Sequence, residues 1–225
     1  MFNAKPVRTV DGIFDFLGDT EDDFVLNYER ISKEYYQHRE PLAELQAISN
    51  CCELLIQNNI YEMDAVLDVG CGAGYILDRV HALGKVGLDI SLEQLKRVDK
   101  YVIRVRANAE EMPFEDNMFN AVICVDVFEH VRDEKALARE LYRVIKPKGL
   151  LLFACPWEQD LSVYDSERYE KKFKYVHLRS INEKMMKENF SGFQIMASTY
   201  VTVGMRDMEL KPYPVRFFQF KEDSK

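Results

Sequence analysis

Gly70, Gly72 and Gly74 stand at alternate positions in the run Val66-Leu67-Asp68-Val69-Gly70-Cys71-Gly72-Ala73-Gly74. Residues without a Cβ let the chain turn tightly and let a ligand lie against the backbone. The amides left free at such a turn favour a polar or anionic group. The spacing is Gly-x-Gly-x-Gly, which differs from the Gly-x-Gly-x-x-Gly of dinucleotide-binding turns. Asp89 ends the run Val86-Gly87-Leu88-Asp89, 21 residues after Asp68. A carboxylate there can accept from both hydroxyls of a ribose. An acid just ahead of a helix can also act as its N-terminal cap. The glycine turn and the spacing together favour the ribose.

Proton transfer near neutral pH points to histidine, and the chain has four: His38, His81, His130 and His177. His130 follows Glu129 and the apolar run Ala121–Val125. It fits a general base or substrate contact, and equally a residue that braces a loop. His177 closes a polar and aromatic stretch with Trp157, Tyr164, Tyr169, Phe173 and Tyr175. Tyr and Trp combine apolar area with a polar tip, so this stretch suits a substrate pocket; an edge-covering packing element suits it as well. His81 reads as an exposed, inert helix residue, and His38 as part of an N-terminal helix. His130 and His177 are thus the candidate catalytic residues. The five cysteines (Cys51, Cys52, Cys71, Cys124, Cys155) lack paired metal-ligand spacing. Buried, reduced thiols are expected, with no metal centre and no disulfide framework.

The elements that must position these residues follow from periodicity. Short, continuously apolar runs at 66–69, 86–90, 102–105, 121–125 and 150–155 read as strands of a parallel sheet covered on both faces. Between them come a helix expected over about Tyr75–Leu83, a capping box Ser91-Leu92-Glu93-Gln94, and a helix over Asp133–Ile145. The region from Glu21 to Asn58 is helical in pattern and divided by Pro41, with an acidic turn at 19–23 ahead of it. Ser180-Ile181-Asn182-Glu183 reads as a second capping box, opening a helix to about Asn189. Strand candidates near 193–203 and 214–220 have no helical crossover between them and are expected to pair antiparallel at the sheet edge. The class is α/β.

In 225 residues there are 30 basic and 38 acidic side chains, a net charge of -8, with the basic residues scattered. Binding to a nucleic-acid backbone needs a concentrated basic face, so that function class is disfavoured. No apolar run approaches the roughly 20 residues that cross a bilayer, and the first residues lack a signal-peptide layout. A cytoplasmic chain is expected.

Five segments in order resemble the class I S-adenosylmethionine-dependent methyltransferases, and the branch that includes quinone-biosynthesis and other small-molecule enzymes in particular. The segment 66–74 is similar to that family's first motif, and Gly87-Leu88-Asp89-Ile90 to its ribose motif. Asn108-Ala109-Glu110-Glu111-Met112-Pro113-Phe114 resembles the adenine-side segment. Asn120 to Val131, with Val125-Asp126-Val127-Phe128-Glu129-His130, resembles the fourth-strand motif. Arg143-Val144-Ile145-Lys146-Pro147-Lys148-Gly149 looks like the turn into the fifth strand. The resemblance implies a doubly wound, Rossmann-like methyltransferase fold with seven strands, mostly parallel, and one antiparallel strand. It implies one domain: an N-terminal helical cap (1–60), a cofactor-binding core (61–155), and a lid insert with C-terminal strands (156–225).

By the same resemblance S-adenosylmethionine would be the cofactor and S-adenosylhomocysteine the product. Asp68, Gly70, Cys71, Gly72 and Gly74 would hold its methionine end, and Asp89 and Ile90 the ribose. Asn108, Ala109 and Glu110 would meet the adenine, and Val125 and Asp126 the amino group. Many relatives carry Asp where this chain has Asn108; an amide both donates and accepts. The absence of Asn/Asp-Pro-Pro-Tyr after the fourth strand argues against nucleobase and glutamine methylation. The implied activity is methyl transfer to an oxygen, nitrogen or carbon of a small molecule by in-line displacement. Protein methylation and cofactor binding without turnover are the rivals.

Overall fold

The computed structural model describes residues 1–34, 43–162, 177–203 and 211–220. Its strands are β1 (Arg8–Val10), β2 (Ile13–Asp15), β3 (Ala65–Val69), β4 (Gly84–Asp89), β5 (Ile103–Arg106), β6 (Phe119–Val125), β7 (Ile145–Ala154), β8 (Phe193–Val203) and β9 (Lys211–Phe220). The helices are α1 (Asp23–Glu34), α2 (Ala43–Asn59), α3 (Leu92–Leu95), α4 (Glu134–Val144) and α5 (Glu183–Asn189). One sheet runs β1-β2-β5-β4-β3-β6-β7-β9-β8.

Strands β5-β4-β3-β6-β7 are parallel throughout, and β9 is antiparallel to both β7 and β8. These with β8 are the seven strands expected, with the antiparallel one in the expected place. The strand order reverses between β3 and β4 on one side and β6 on the other. Ligands of open α/β sheets bind at such a point, beyond the carboxyl ends of the strands.

Side-chain alternation along each strand divides two cores. Leu67, Val69, Val122, Cys124, Leu151 and Phe153 face one way and pack with Leu137, Leu141 and Val144 of α4. Val66, Ala121, Ile123, Leu152 and Ala154 face the other way, against Cys52 and Ile56 of α2. Each fully buried Leu, Ile or Phe stabilises the fold by about 1.5–3 kcal/mol relative to exposure. That drive explains why the strands are apolar at every position rather than every second one. The cysteines are free thiols, four of them buried.

Three local expectations are corrected. First, the sheet has nine strands, because β1 and β2 form a hairpin: Arg8 pairs with Asp15 and Val10 with Ile13, and β2 adds parallel to β5. Asp11 and Gly12, both with positive φ (51° and 75°), supply the two-residue turn, the Asp-Gly signal of a tight hairpin. Second, 75–83 forms only a 3₁₀ turn, Leu77–Arg79. Nine α-helical residues rise about 13–14 Å, less than the about 17 Å that a five-residue strand covers. The short return therefore finishes extended, with Val80 at ψ 117°. Third, α5 is capped by Asn182, whose Oδ1 accepts from Met185 N at 3.0 Å, and not by Ser180. The Ser91 cap forms as expected, its Oγ accepting from Gln94 N at 3.3 Å. His38 and the aromatic residues Tyr164, Tyr169, Phe173 and Tyr175 lie outside the described residues.

Candidate functional site

The glycine turn opens directly from the carboxyl end of β3. Gly70 N and Cys71 N both donate to Leu88 O of β4, at 2.7 and 3.0 Å, which bends the chain over the neighbouring strand. Gly70, at φ 68°, is pressed against Val127: a Cβ there would lie 2.3 Å from Val127 Cγ2. Gly72, at φ 53°, is the opposite case, since a Cβ there would meet nothing within 4 Å. The backbone at Gly72 thus borders open space at the switch point. Cys71 contributes backbone only, because its thiol is turned under β4 and sits against Gly87.

Asp89 ends β4 beside this space. Its Oδ2 accepts from Gly72 N at 2.9 Å and its Oδ1 from Ser91 N at 2.8 Å. Burial pushes its carboxyl up to about 6, against the pull of the Ser91 and Gly72 amides. The cap reading of Asp89 fails in detail: Ser91 is the cap of α3, and Asp89 joins the two turns. Asp68 is nearly inaccessible on β3; burial, then the charge of Asp89, raises its carboxyl well above the usual range. Ile90 is half-buried, and its carbonyl accepts from Arg106 Nε at 3.2 Å.

Beyond β5, Asn108 Oδ1 accepts from Glu110 N at 3.0 Å, so the carbonyl end of its amide is taken up by its own turn. Ala109 packs on the core. The Glu110 carboxylate is engaged with the amide of Asp133, the cap of α4. Val125 closes β6 against Ala154 of β7. Asp126 adopts φ 54°, its N–H donating to Ala154 O at 2.9 Å. A non-glycine residue held in the left-handed region marks a constrained turn, and it carries Val127 onto Gly70.

The same turn carries Glu129 and His130. His130 and His177 meet ring to ring, edge to face, with centroids 4.8 Å apart. Burial, then the neighbouring His130, pushes His177 down to about 3. It is neutral across the physiological range and too weakly basic to accept a proton there, whereas its ring can still contact a substrate. His81 lies exposed on the return from the glycine turn, as expected.

Glu29 of α1 escaped the sequence reading. Its carboxylate accepts from Ser91 Oγ at 3.0 Å and Leu92 N at 2.8 Å and pairs with Arg106 Nη2 at 3.0 Å. Arg106 in turn meets Asp15 at 3.2 Å, which also pairs with Arg8 at 2.8 Å. This network ties the N-terminal hairpin and α1 to the rim beside Asp89. No local spacing signals it, because Glu29 and Ser91 are 62 residues apart.

Residues 67–153 match the methyltransferase domain family, a span that holds the glycine turn, Asp89 and the β6 turn. The chain carries a class I S-adenosylmethionine-dependent methyltransferase domain. This methyltransferase is 31% identical over 173 residues to an uncharacterised protein of Methanocaldococcus jannaschii, covering 75% of this chain and 61% of that one. It is 34% identical over 102 residues to a ubiquinone biosynthesis O-methyltransferase of Pseudomonas putida, covering 40% of this chain and 43% of that one. The chain thus spans less than two thirds of the length of the curated relatives it matches. Two solved structures share the fold. A Thermotoga maritima S-adenosylmethionine-dependent methyltransferase superposes with a TM-score of 0.64 at 18% identity, over 87% of this chain and 99% of that one. A Haloferax volcanii methyltransferase solved in complex with the Trm112 activator gives 0.67 at 16% identity, over 90% of this chain and 100% of that one.

The cofactor of this class is S-adenosylmethionine, and the residues present fit it. A Cβ-free backbone at Gly72 borders open space, and a carboxylate raised to about 6 stands beside it with capacity for further donors. Among the described residues, no helix is long and apolar enough to cross a membrane.

Proposed function

We propose that the protein transfers a methyl group from S-adenosylmethionine to an oxygen, nitrogen or carbon nucleophile of a small molecule. The observation that carries this is the open space over Gly72 set against the Asp89 carboxylate at the switch point. S-adenosylmethionine bound there supplies an activated methyl group for in-line displacement. The chain's own work is to bind, orient and exclude water.

In this reading Asp68, Gly70, Cys71, Gly72 and Gly74 hold the methionine end, Asp68 and the turn amides facing its charged groups. Asp89 accepts from the ribose hydroxyls, with Ile90 alongside. Asn108 presents the amine end of its amide to the adenine, since its carbonyl end is engaged with Glu110 N. Ala109 and Glu110 set the height of that loop, and Val125 and Asp126 flank the amino group. His130 and His177 stand on the acceptor side, following the turn that packs on Gly70. Of the two, only His130 suits a base, since His177 is held near 3.

The small-molecule class is supported by the net charge of -8 and by the likeness of residues in the core to ubiquinone biosynthesis O-methyltransferases. Protein methylation is the second reading, favoured by the likeness in fold to a methyltransferase that pairs with the Trm112 activator.

The test is calorimetric titration with S-adenosylhomocysteine, with NAD as control, followed by incubation of a lysate with methyl-labelled donor. Binding of S-adenosylhomocysteine alone, with label in the low-mass fraction, supports the proposal. Label in protein supports the second reading. Binding with no labelled product in any fraction would leave a cofactor-binding regulator and overturn both.

A further inference from the structure

We infer that Glu129, His130 and His177 form a binding site for one divalent transition-metal ion of the zinc class. Each offers a ligand atom, and these atoms lie within 4.8 Å of one another. Two imidazoles and one carboxylate are the donor set of three-ligand zinc sites that keep a coordination position open.

Glu129 gives the strongest argument. It is 1% exposed, and neither carboxylate oxygen receives a hydrogen bond. A buried carboxylate needs donors or a counter-cation, since its desolvation costs several kcal/mol. His130 Nε2 stands 3.8 Å from Glu129 Oε1, beyond hydrogen-bond reach. Arg179, the nearby guanidinium, is committed elsewhere: Nη1 donates to Phe128 O at 2.8 Å, Nη2 to Arg132 O at 3.0 Å, and Nε pairs with Glu134 at 3.4 Å. Asp126 beside Glu129 adds a second acid rather than a cation. A proton shared by the two acids is the alternative way to settle that charge.

The histidines are disposed for ligation. His177 Nδ1 is hydrogen-bonded to Gln159 Oε1. A carbonyl oxygen accepts, so Nδ1 carries the proton and the Nε2 lone pair is left to a ligand. Metal-binding histidines are oriented in this way by a partner on the other ring nitrogen. The ring geometry agrees. With Zn–N of about 2.0–2.1 Å, each ring centroid lies about 3.2 Å from the ion, so two rings at ligand angles of about 90–109° have centroids about 4.5–5.2 Å apart. The observed separation is 4.8 Å, with the planes at 80°. Drawing ligand atoms up to 4.8 Å apart in to the about 3.3 Å edge of a tetrahedral site asks for about 1.5 Å of convergence. Rotation about the χ angles of three side chains can supply it.

The site follows directly from the Val127 contact with Gly70, so its open position adjoins the cofactor pocket. If methyl transfer is the activity, that position would take an acceptor hydroxyl and make it easier to deprotonate; this last step rests on the proposed function, whereas the metal site does not.

The experiment is metal binding by the full chain after dialysis against a chelator. Zn²⁺ is titrated by calorimetry and Co²⁺ by visible absorption. One ion per chain is expected, with a Co²⁺ spectrum free of a thiolate charge-transfer band. Affinity should fall by about tenfold or more in His177→Ala and in His130→Ala, each checked for folding by circular dichroism and for S-adenosylhomocysteine binding. Absence of stoichiometric binding would overturn the inference and leave the shared proton as the state of Glu129. Undiminished affinity in both variants, or a thiolate band placing the ion on the cysteines, would overturn it as well. S-adenosylhomocysteine binding is measured separately, so loss of the metal site and loss of the cofactor reading are told apart.

Discussion

Alanine at Gly70 and alanine at Gly72 should damage the protein in different ways. Both positions have positive φ, 68° and 53°, so a Cβ costs about 1–2 kcal/mol at either from backbone strain alone. At Gly70 the new methyl would also sit 2.3 Å from Val127 Cγ2, and overpacking of this kind costs about 1–3 kcal/mol more. Gly70→Ala is therefore expected to lose about 2–5 kcal/mol of stability, and Gly72→Ala about 1–2. Urea denaturation measures both. In the double variant Gly70→Ala/Val127→Ala the overlap is gone, so the double loss should fall short of the summed single losses by about 1–3 kcal/mol. Calorimetry with S-adenosylhomocysteine supplies the second axis. The methyl of Gly72→Ala projects into the open space assigned to the ligand, so affinity should drop about tenfold or more although the fold survives. Additive losses at Gly70 and Val127 would refute the packing argument. Affinity of Gly72→Ala equal to wild type would refute the placement of the ligand.

Asp89, with its carboxyl at about 6 in the folded chain against 3.8 in a free one, makes cofactor affinity fall as pH drops through 6, because the ribose hydroxyls need an acceptor; calorimetry from pH 5 to 8 checks this. The same shift has the opposite sign for stability. Its stabilising contribution to the ligand-free fold is full below pH 3.8 and is lost as pH rises through about 6, a loss of up to about 3 kcal/mol before the partial solvent contact of Asp89 is allowed for. Glu29→Gln removes a charge that helps raise Asp89, so the midpoint of that binding curve should move to lower pH; an unmoved midpoint would separate Glu29 from the site. Asp15→Asn leaves the buried Arg106 with Glu29 alone and should cost about 3–5 kcal/mol in denaturant melts. Burial opposes the Asp15 charge, but the Gly18 amide, Arg8 and Arg106 outweigh it and hold its carboxyl below 3.8. The stability it contributes is thus present above pH 3.8 and fades as pH falls through its lower folded value, so the Asn variant should show a flatter acid limb.

Much of this architecture is legible from local chemistry. Apolar runs with no polar face require a covered parallel sheet, and β3 through β7 form one. The glycine turn and Asp89 could be paired from sequence because both close adjacent strands of one unit, a short-range relation that spacing preserves. Asp11-Gly12 carried a hairpin signal too, but three-residue strands are too short for periodicity to register. The helix expected after Gly74 shrank to a single 3₁₀ turn because its length had to match a strand it could not see. Asn182 displaced Ser180 as a cap by one competition among neighbouring polar side chains.

Sequence alone thus determined the sheet class, the cofactor turn and the ribose carboxylate, since each depends on residues a few positions apart with backbone-dictated geometry. The tertiary structure decided what joins distant residues: Glu29 with Ser91 and Arg106, Val127 with Gly70, and Glu129 and His130 with His177 across 47 positions. Those meetings depend on how the sheet twists and how the insert returns over it. The burial that shifts Asp89 up and His177 down exists only once the chain has closed around them.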